Sequence, residues 1–578
     1  MTQTSSSVSE WDAEYDVLVI GSGAAGLSTA ITASIEGAKS LVIEKTAYIG
    51  GSTAISGGAI WAPLHAQSAQ AGHLDSLGNV KKYLDQVVGS AGKAETMACF
   101  LKYASQMVDY FSEHDVLHLV ARTYAPDYYP DLEGALLGGR SFDPVVFDGK
   151  KLGKKYLKEL RNPLSEFMVL GGMMVNVTDA KNLLAATRSF SAWKASMKLL
   201  IRYAQDRLMG YHRGTRLLLG NAVAGQLFHS LLQRAIPYWL NTSLERLVQD
   251  ETGRVVGAIV LKNSKKIRVL AKRGVVLATG GFAFNEQMRN EYYPQPTQLW
   301  SMAPSSNTGD GIQNALAVGA AMGQGHTSPA FWAPVSVRQL ADGSWQRFPH
   351  LVWDRAKPGL MAVNAAGQRF VNESTSYHEF VLAMYESNKV VPTVPAFLIC
   401  DSPFMEKWGM GLALPGGRPR QHLVKDGYLY KAETLQELAE LLQIDTEGLI
   451  NSAKQFNDAA RLGVDTAFAK GSTSYNRYLG DPDHGPNPCL GTLEQGPFYA
   501  VKVYPGDIGT AHGLDCNEKG QVLNAQAEPI PSLYAVGNDM QSIMGGCYPG
   551  PGITLGPALT FGWLVGRQLA QISSDSIL

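Results

Sequence analysis

Residues 16–45, DVLVIGSGAAGLSTAITASIEGAKSLVIEK, leave few folds open. An apolar strand over Val17–Ile20 runs into a G-x-G-x-x-G turn, an amphipathic helix is predicted next, and a second strand over Ser40–Ile43 ends at Glu44. A glycine turn that follows a strand, opens a helix and is trailed by an acid about 20 residues on is the dinucleotide-binding βαβ fingerprint. Gly21 makes the tight turn, Gly23 admits the pyrophosphate between Ser22, Ala24 and Ala25, and Gly26 lets the helix pack on the strand. The pyrophosphate then sits on the helix N-terminus. Glu44 is the expected acceptor for a ribose hydroxyl, with Lys45 beside it.

Size and charge narrow the class further. A chain of 578 residues exceeds one compact core, so two or more domains are expected. Fifty Lys+Arg against 51 Asp+Glu give no nucleic-acid footprint, and 60 glycines at 45% hydrophobic content fit an α/β enzyme. Cys99, Cys400, Cys489, Cys516 and Cys547 show no C-x-x-C spacing, which speaks against a metal site and for a reducing compartment. The polar, acidic first 16 residues read as a frayed tail rather than a secretory signal. No run of about 18 uncharged apolar residues is present, so a cytoplasmic protein is expected.

Three further glycine signals decide which dinucleotide. GGSTAISGG supplies Gly50, Gly51, Ser52, Ser56, Gly57 and Gly58 where a bare nicotinamide-binding fold would carry on into a helix. RGVVLATGGFAFN puts a strand before Ala278, Thr279 and Gly280, and LYAVGNDM puts one before Gly537, Asn538 and Asp539. Turns spread over the whole chain imply one long cofactor cradled by discontinuous segments, which fits FAD; no histidine or cysteine in GGSTAISGG offers a covalent link. A hairpin is predicted around Asp250–Gly253, and a helix from Asn307 carries Asp310 in its first turn, as a cap or a cofactor contact.

The stretch CYPGPGITLGPALTFG, from Cys547, carries the chemistry. Pro549 and Pro551 have no N–H, so Gly550 and Gly552 are the turn's remaining backbone donors. The Tyr548 phenol and the Gly552 amide are placed to hold one carbonyl oxygen, the arrangement that stabilises an enolate. Thr554 and Leu555, at the helix start, complete the candidate cofactor contacts.

Taken together, GSGAAG, EK with GGS, DYYP at Asp127–Pro130, ATGGF, TGDG, RFVNES with Tyr377, VGN and YPGPGITLGP resemble the FAD-dependent 3-ketosteroid dehydrogenases of the fumarate-reductase-like flavoproteins. DYY, the tyrosine after NES and YPGPG are the specific members of that set. The resemblance implies an α/β fold, with a Rossmann-like FAD-binding domain (residues 1–335 and 509–578) and an inserted α+β catalytic domain (336–508). It implies a base at Tyr377, a partner phenol at Tyr128, a carbonyl clamp of Tyr548 and Gly552, a 3-ketosteroid substrate and an external electron acceptor. The reaction introduces a carbon 1 to carbon 2 double bond. The sister Δ4-(5α) activity, a fumarate-reductase-type activity and a flavin-binding sensor without turnover stand as alternatives.

Two features depart from the family pattern. Ser376 stands where many relatives have proline, which predicts a looser backbone at the base, and residues 150–220 are long. His378 is expected at the surface or behind the site, Arg369 and Glu373 as a structural pair, and Asn372 with Glu373 as the fixing of the Tyr377 loop. Between Asp179 and Gly220, Lys194, Lys198 and Arg202 recur beside a helical face of Trp193, Met197, Leu200, Ile201, Ala204 and Leu208. Such a basic amphipathic helix suits the inner face of a membrane, through residues of about 180–217.

Overall fold

The computed structural model describes residues 11–352 and 354–571. The chain enters at β1 (Ala13–Ile20), turns into α1 (Ala24–Ile35) and returns through β2 (Ser40–Ile43), parallel to β1. Residues 1–10 of the expected tail lie outside the described residues, and Ala13–Tyr15 are strand, in register with Val269–Ala271. Val17–Ile20 and all of β2 are buried, the continuous apolar run that a parallel sheet covered on both faces requires. The helix predicted as amphipathic is instead buried from Ala24 through Ala33, because other helices cover its outer face.

Residues 150–220 fold mostly as short helices and strands, with one long helix, α2 (Phe190–Leu208), among them. The predicted hairpin forms between Thr242–Gln249 and Val255–Lys262 and runs on into β3 (Lys265–Leu277). The last residues of β3 leave the hairpin and pair in parallel with β1.

A second, six-stranded antiparallel sheet begins at β4 (Ala330–Gln339), carries α3 (Tyr377–Asn388) and α4 (Ser474–Leu479) in its connections, and ends in β5 (Phe498–Thr510). Because β4 pairs with β5 from Ala330↔Thr510 onward, both strands belong whole to this sheet. The expected boundaries at 335/336 and 508/509 therefore fall within two strands of this sheet. One apolar core runs through both sheets, and a smaller one sits under the second between Met361, Phe397, Leu438 and Phe456.

The chain then rejoins the first sheet through β6 (Pro529–Ala535), parallel to β3, and closes with α5 (Leu555–Gln571) against α1. This return gathers the glycine motifs. β1, β3 and β6 end at Ile20, Leu277 and Ala535, so GSGAAG, ATGG and VGN all lie at the carboxyl ends of neighbouring parallel strands, where open α/β sheets bind ligands. No helix among the described residues is long and apolar enough to cross a membrane.

Candidate active site

A cavity of about 1880 Å³ opens from these strand ends and runs between the two sheets. Every expected cofactor contact lines it except Gly26, Gly50 and Asp539. Gly26 packs so close to the β1 end that an added Cβ would lie 2.1 Å from the Gly21 carbonyl oxygen. Gly50 faces Ala54 and Ala224. The Asp539 carboxylate is fully buried and accepts from Thr279 Oγ1 and the Gly281 N–H, both at 2.9 Å, so it ties the second glycine turn to the third rather than facing a ligand. Glu44 lines the cavity while accepting from Ser22 Oγ at 2.6 Å and from Thr46 at 2.9 Å, which fixes the first turn.

Asp310 is not the cap of its helix. Gly309 occupies that position, and the Asp310 carboxylate pairs with Lys45 Nζ at 2.7 Å and accepts from Thr308 Oγ1 at 2.6 Å. Sequence reasoning gave no role to Thr53, whose Oγ1 accepts from the Ala24 N–H at 2.9 Å. Nor did it assign Asn307, whose amide donates to Ser52 Oγ and the Gly280 carbonyl. A lone threonine or asparagine in a loop carries no spacing signal, so neither stood out.

The cradle fits FAD on its own geometry. Gly23 has an ordinary φ of −74°, and an added Cβ would meet nothing nearer than 3.7 Å; at Gly57 it would meet nothing within 4 Å. Neither packing nor backbone demands glycine at these two places, and both line the cavity, so a side chain there would fill space that a ligand needs. The N-terminus of α1 opens into the same space with no acid in its first turn; Thr53 Oγ1 takes the Ala24 N–H, and the positive end of the helix is left to meet a phosphate.

Further along the cavity, four tyrosines form one wall: Tyr128, Tyr377, Tyr475 and Tyr548, all buried. The Tyr128 hydroxyl donates to the Tyr377 oxygen at 2.9 Å. The Tyr128 ring stacks on Tyr548 with centroids 5.3 Å apart, and Tyr377 meets Tyr548 edge to face at 5.2 Å. The DYY and YPGPG segments are held together by the backbone: the Tyr128 N–H and the Tyr83 hydroxyl both donate to the Pro549 carbonyl, and Ser141 Oγ donates to that of Pro551. Asp127 anchors the first of them, accepting from Arg140 at 2.6 Å, the Leu136 N–H and the Trp61 indole.

Gly552, at φ +99°, leaves no room for a side chain: an added Cβ would lie 2.6 Å from the backbone of Ala59, Ile60 and Trp61. Its N–H has no protein acceptor among the described residues. Gly550 lies off the cavity against Trp61 and Asp127, so of the turn's two remaining amides Gly552 is the one that faces a ligand.

Tyr377 opens α3, and Ser376 is the N-cap of that helix, its hydroxyl accepting from the Glu379 N–H at 3.2 Å. Serine in place of proline therefore fastens the base's backbone instead of loosening it. The preceding loop hangs on Arg355, fully buried, which donates to the carbonyls of Glu373 and Thr375. Arg369 and Glu373 form the expected bidentate pair, joined by Asp465, and Asn372 donates to Asn476 Oδ1. His378 is not at the surface: it is buried behind Tyr548, its Nδ1 accepts from the Trp332 N–H, and burial lowers its pKa to about 3. Burial likewise pushes Tyr377 and Tyr128 well above an ordinary phenol and Tyr548 up to about 12.

Comparison with known proteins agrees with this geometry. The family model for the FAD binding domain matches residues 16–555. The 4-oxocyclohex-2-ene-1-carboxylate 5-dehydrogenase of Sinomonas cyclohexanicum is 37% identical over 97% of this chain and 94% of its own. The 3-oxosteroid 1-dehydrogenase of Mycolicibacterium smegmatis is 36% identical over 97% and 98%. The crystal structure of 3-ketosteroid delta1-dehydrogenase from Sterolibacterium denitrificans, in complex with 1,4-androstadiene-3,17-dione, superposes with a TM-score of 0.90 at 36% identity, covering 96% of this chain and 99% of that one. The chain is an FAD-dependent dehydrogenase with an FAD-binding and a catalytic part. It belongs to the family of FAD-dependent 3-ketosteroid dehydrogenases.

Proposed function

We propose that this protein removes two hydrogens from carbons 1 and 2 of a 3-ketosteroid, with the assigned phenols as its acid–base machinery. The observation that carries the reading is the hydroxyl pair of Tyr128 and Tyr377, 2.9 Å apart, packed against Tyr548 in the cavity that Gly552 also lines. The substrate's ketone oxygen is held by the Tyr548 hydroxyl and the Gly552 N–H, two donors that stabilise charge as it moves onto that oxygen. Tyr377 takes the proton from the carbon next to the carbonyl. Tyr128, donating to Tyr377, lowers the cost of the phenolate.

FAD, when bound, supplies the acceptor for the hydride leaving the beta carbon. Gly21, Ser22, Gly23, Ala24 and Ala25 hold its pyrophosphate, Glu44 its ribose, and the turns at Gly57, Gly280 and Asn538 its remainder. The Δ4 alternative is disfavoured by Tyr128 in hydrogen-bond contact with the base. A fumarate-reductase-type reading lacks the histidines it needs, since none lines the cavity, and Arg355 is engaged with carbonyls. Phe167, Leu170, Leu184, Leu200, Leu351 and Leu412 line the outer cavity, an apolar passage suited to a fused-ring substrate.

The test is an anaerobic mixing of the flavin-loaded protein with a 3-keto-4-ene steroid. Bleaching of the flavin band with a 1,4-diene product is expected; bleaching with any other regiochemistry, or none, refutes the reading.

We further propose that α2 rests on an anionic membrane surface. Phe190, Trp193, Ile201 and Leu208 are exposed at 78%, 48%, 51% and 87%, and Lys194 and Lys198 stand exposed beside them, an apolar face with a basic flank. Two members of the predicted faces are engaged elsewhere: Leu200 lines the cavity and Arg202 pairs with Asp148.

A further inference from the structure

The cations of the outer cavity are out of proportion to its acids. Lys181, Lys357, Lys407 and Arg418 all line it. Lys357 and Lys407 both stand over the Trp408 ring, their Nζ atoms 4.8 and 4.9 Å from its centroid, so two ammonium groups contact one aromatic ring. The carboxylate of the group is Asp481, and it is taken by Lys407 at 2.6 Å. Lys357 has no acid in contact among the described residues. Its ammonium donates to the carbonyls of Leu479 and Gly480, which leaves one of its three N–H donors for another acceptor. Burial lowers its pKa to about 8, opposed by the Asp481 carboxylate and aided by Lys181 and Lys407, so at neutral pH it stays largely charged. Lys181 is exposed at the rim and has no partner among the described residues.

Position gives this patch its meaning. Leu479 ends α4, whose second residue is Tyr475, and the Tyr475 ring lies 4.7 Å from that of Tyr128. Four residues of helix rise span about 6 Å. Lys357, bonded to the Leu479 carbonyl, therefore stands roughly one helical turn from Tyr475, in the same cavity as the ketone clamp. A molecule bound by its ketone at Tyr548 presents its opposite end to Lys357.

We propose that the preferred substrate is a cyclic ketone whose far end carries a carboxylate, received by Lys357 with Lys181 and Lys407 around it. The inference rests on the dehydrogenase reading above and deepens it from the ring that reacts to the group that is recognised. An apolar body with one anionic end matches an apolar passage with one cationic end. The same chemistry is offered by a carboxylate on a steroid side chain and by one on a single ring.

The experiment compares kcat/KM for matched acids and methyl esters on the flavin-loaded enzyme. The first pair is 3-oxochol-4-en-24-oic acid and its ester; the second is 4-oxocyclohex-2-ene-1-carboxylate and its ester; androst-4-ene-3,17-dione is the neutral reference. At least one acid is expected to exceed its ester by about tenfold or more, the usual worth of a hydrogen bond to a charged group. The pair that shows the preference tells a side-chain carboxylate from a ring carboxylate. Lys357→Met should bring that acid-to-ester ratio toward one, Lys181→Met should lower it in part, and Lys357→Arg should keep most of it. Because the ratio is taken within each variant, general damage to the fold cancels. Ratios at or below one for both pairs in the wild type, or a ratio that neither methionine variant moves, overturn the inference. If the neutral steroid is dehydrogenated and none of the acids is, the inference fails while the dehydrogenase reading stands. If none of the compounds is dehydrogenated, the reading itself fails.

Discussion

Tyr548→Phe isolates the carbonyl clamp from everything else Tyr548 does. The ring stacks on Tyr128 and meets Tyr377 edge to face, and phenylalanine keeps both contacts; only the hydroxyl is lost. The cost to folding is then about 1 kcal/mol for the lost hydrogen bonding. The cost to chemistry is far larger, because a donor aimed at an oxygen that gains charge is worth a hundredfold to a thousandfold, or roughly 3 to 4 kcal/mol. The Gly552 amide remains in the variant and accounts for the activity left over. The assay follows two events on one sample: the rate of flavin bleaching after mixing with a 3-keto-4-ene steroid, and the exchange of the alpha proton with solvent deuterium. Both are expected to slow by the same factor, since both pass through the enolate. If bleaching slows while exchange keeps its wild-type rate, Tyr548 only positions the substrate and the clamp is wrong.

Three further outcomes follow from the same geometry. Acid denaturation should release all flavin into the supernatant, because no histidine or cysteine lies in the GGSTAISGG turn; yellow colour kept by the pellet contradicts this. Burial holds the Tyr377 proton well above the ordinary phenol range, and the base works only after losing it, so the ionised fraction grows about tenfold per pH unit below that pKa. Turnover at subsaturating substrate should accordingly rise with pH through 7 to 9, and a fall over that span would remove the phenol as base. Lys194→Glu with Lys198→Glu should weaken binding to anionic vesicles by about 1 kcal/mol for each cation lost, and more with the reversed charge; binding left unchanged refutes the membrane face.

The parts of the site that were legible in the sequence are those whose residues carry a mechanical demand. Gly21 must turn at positive φ, Gly26 must let α1 approach β1, and the prolines of YPGPG leave few donors, so spacing alone locates the cradle and the clamp. What spacing does not give is which carboxylates face the ligand. Asp539 follows a strand end as Glu44 does, yet it lies off the cavity and closes on the second glycine turn because β3 and β6 are neighbours, a pairing more than 250 residues apart. That the expected domain limits fall inside two paired strands was hidden for the same reason: β4 and β5 hold each other, and a reading along the chain sees only two apolar stretches. Tyr475 was invisible among 24 tyrosines, because only the fold brings α4 against Tyr128. Ser376 was misread since a family proline suggested stiffness, where a capping hydroxyl achieves it by another route.

The central claim is that Tyr377, poised by Tyr128, takes the alpha proton. Its most direct measurement is the reductive half-reaction of the flavin-loaded Tyr377→Phe variant with a 3-keto-4-ene steroid. The account predicts full flavin content, substrate affinity near the wild type and bleaching slowed by at least about a hundredfold at pH 7, with a larger loss at pH 9 because only the wild type gains phenolate as pH rises. Bleaching at a rate close to that of the wild type would contradict it.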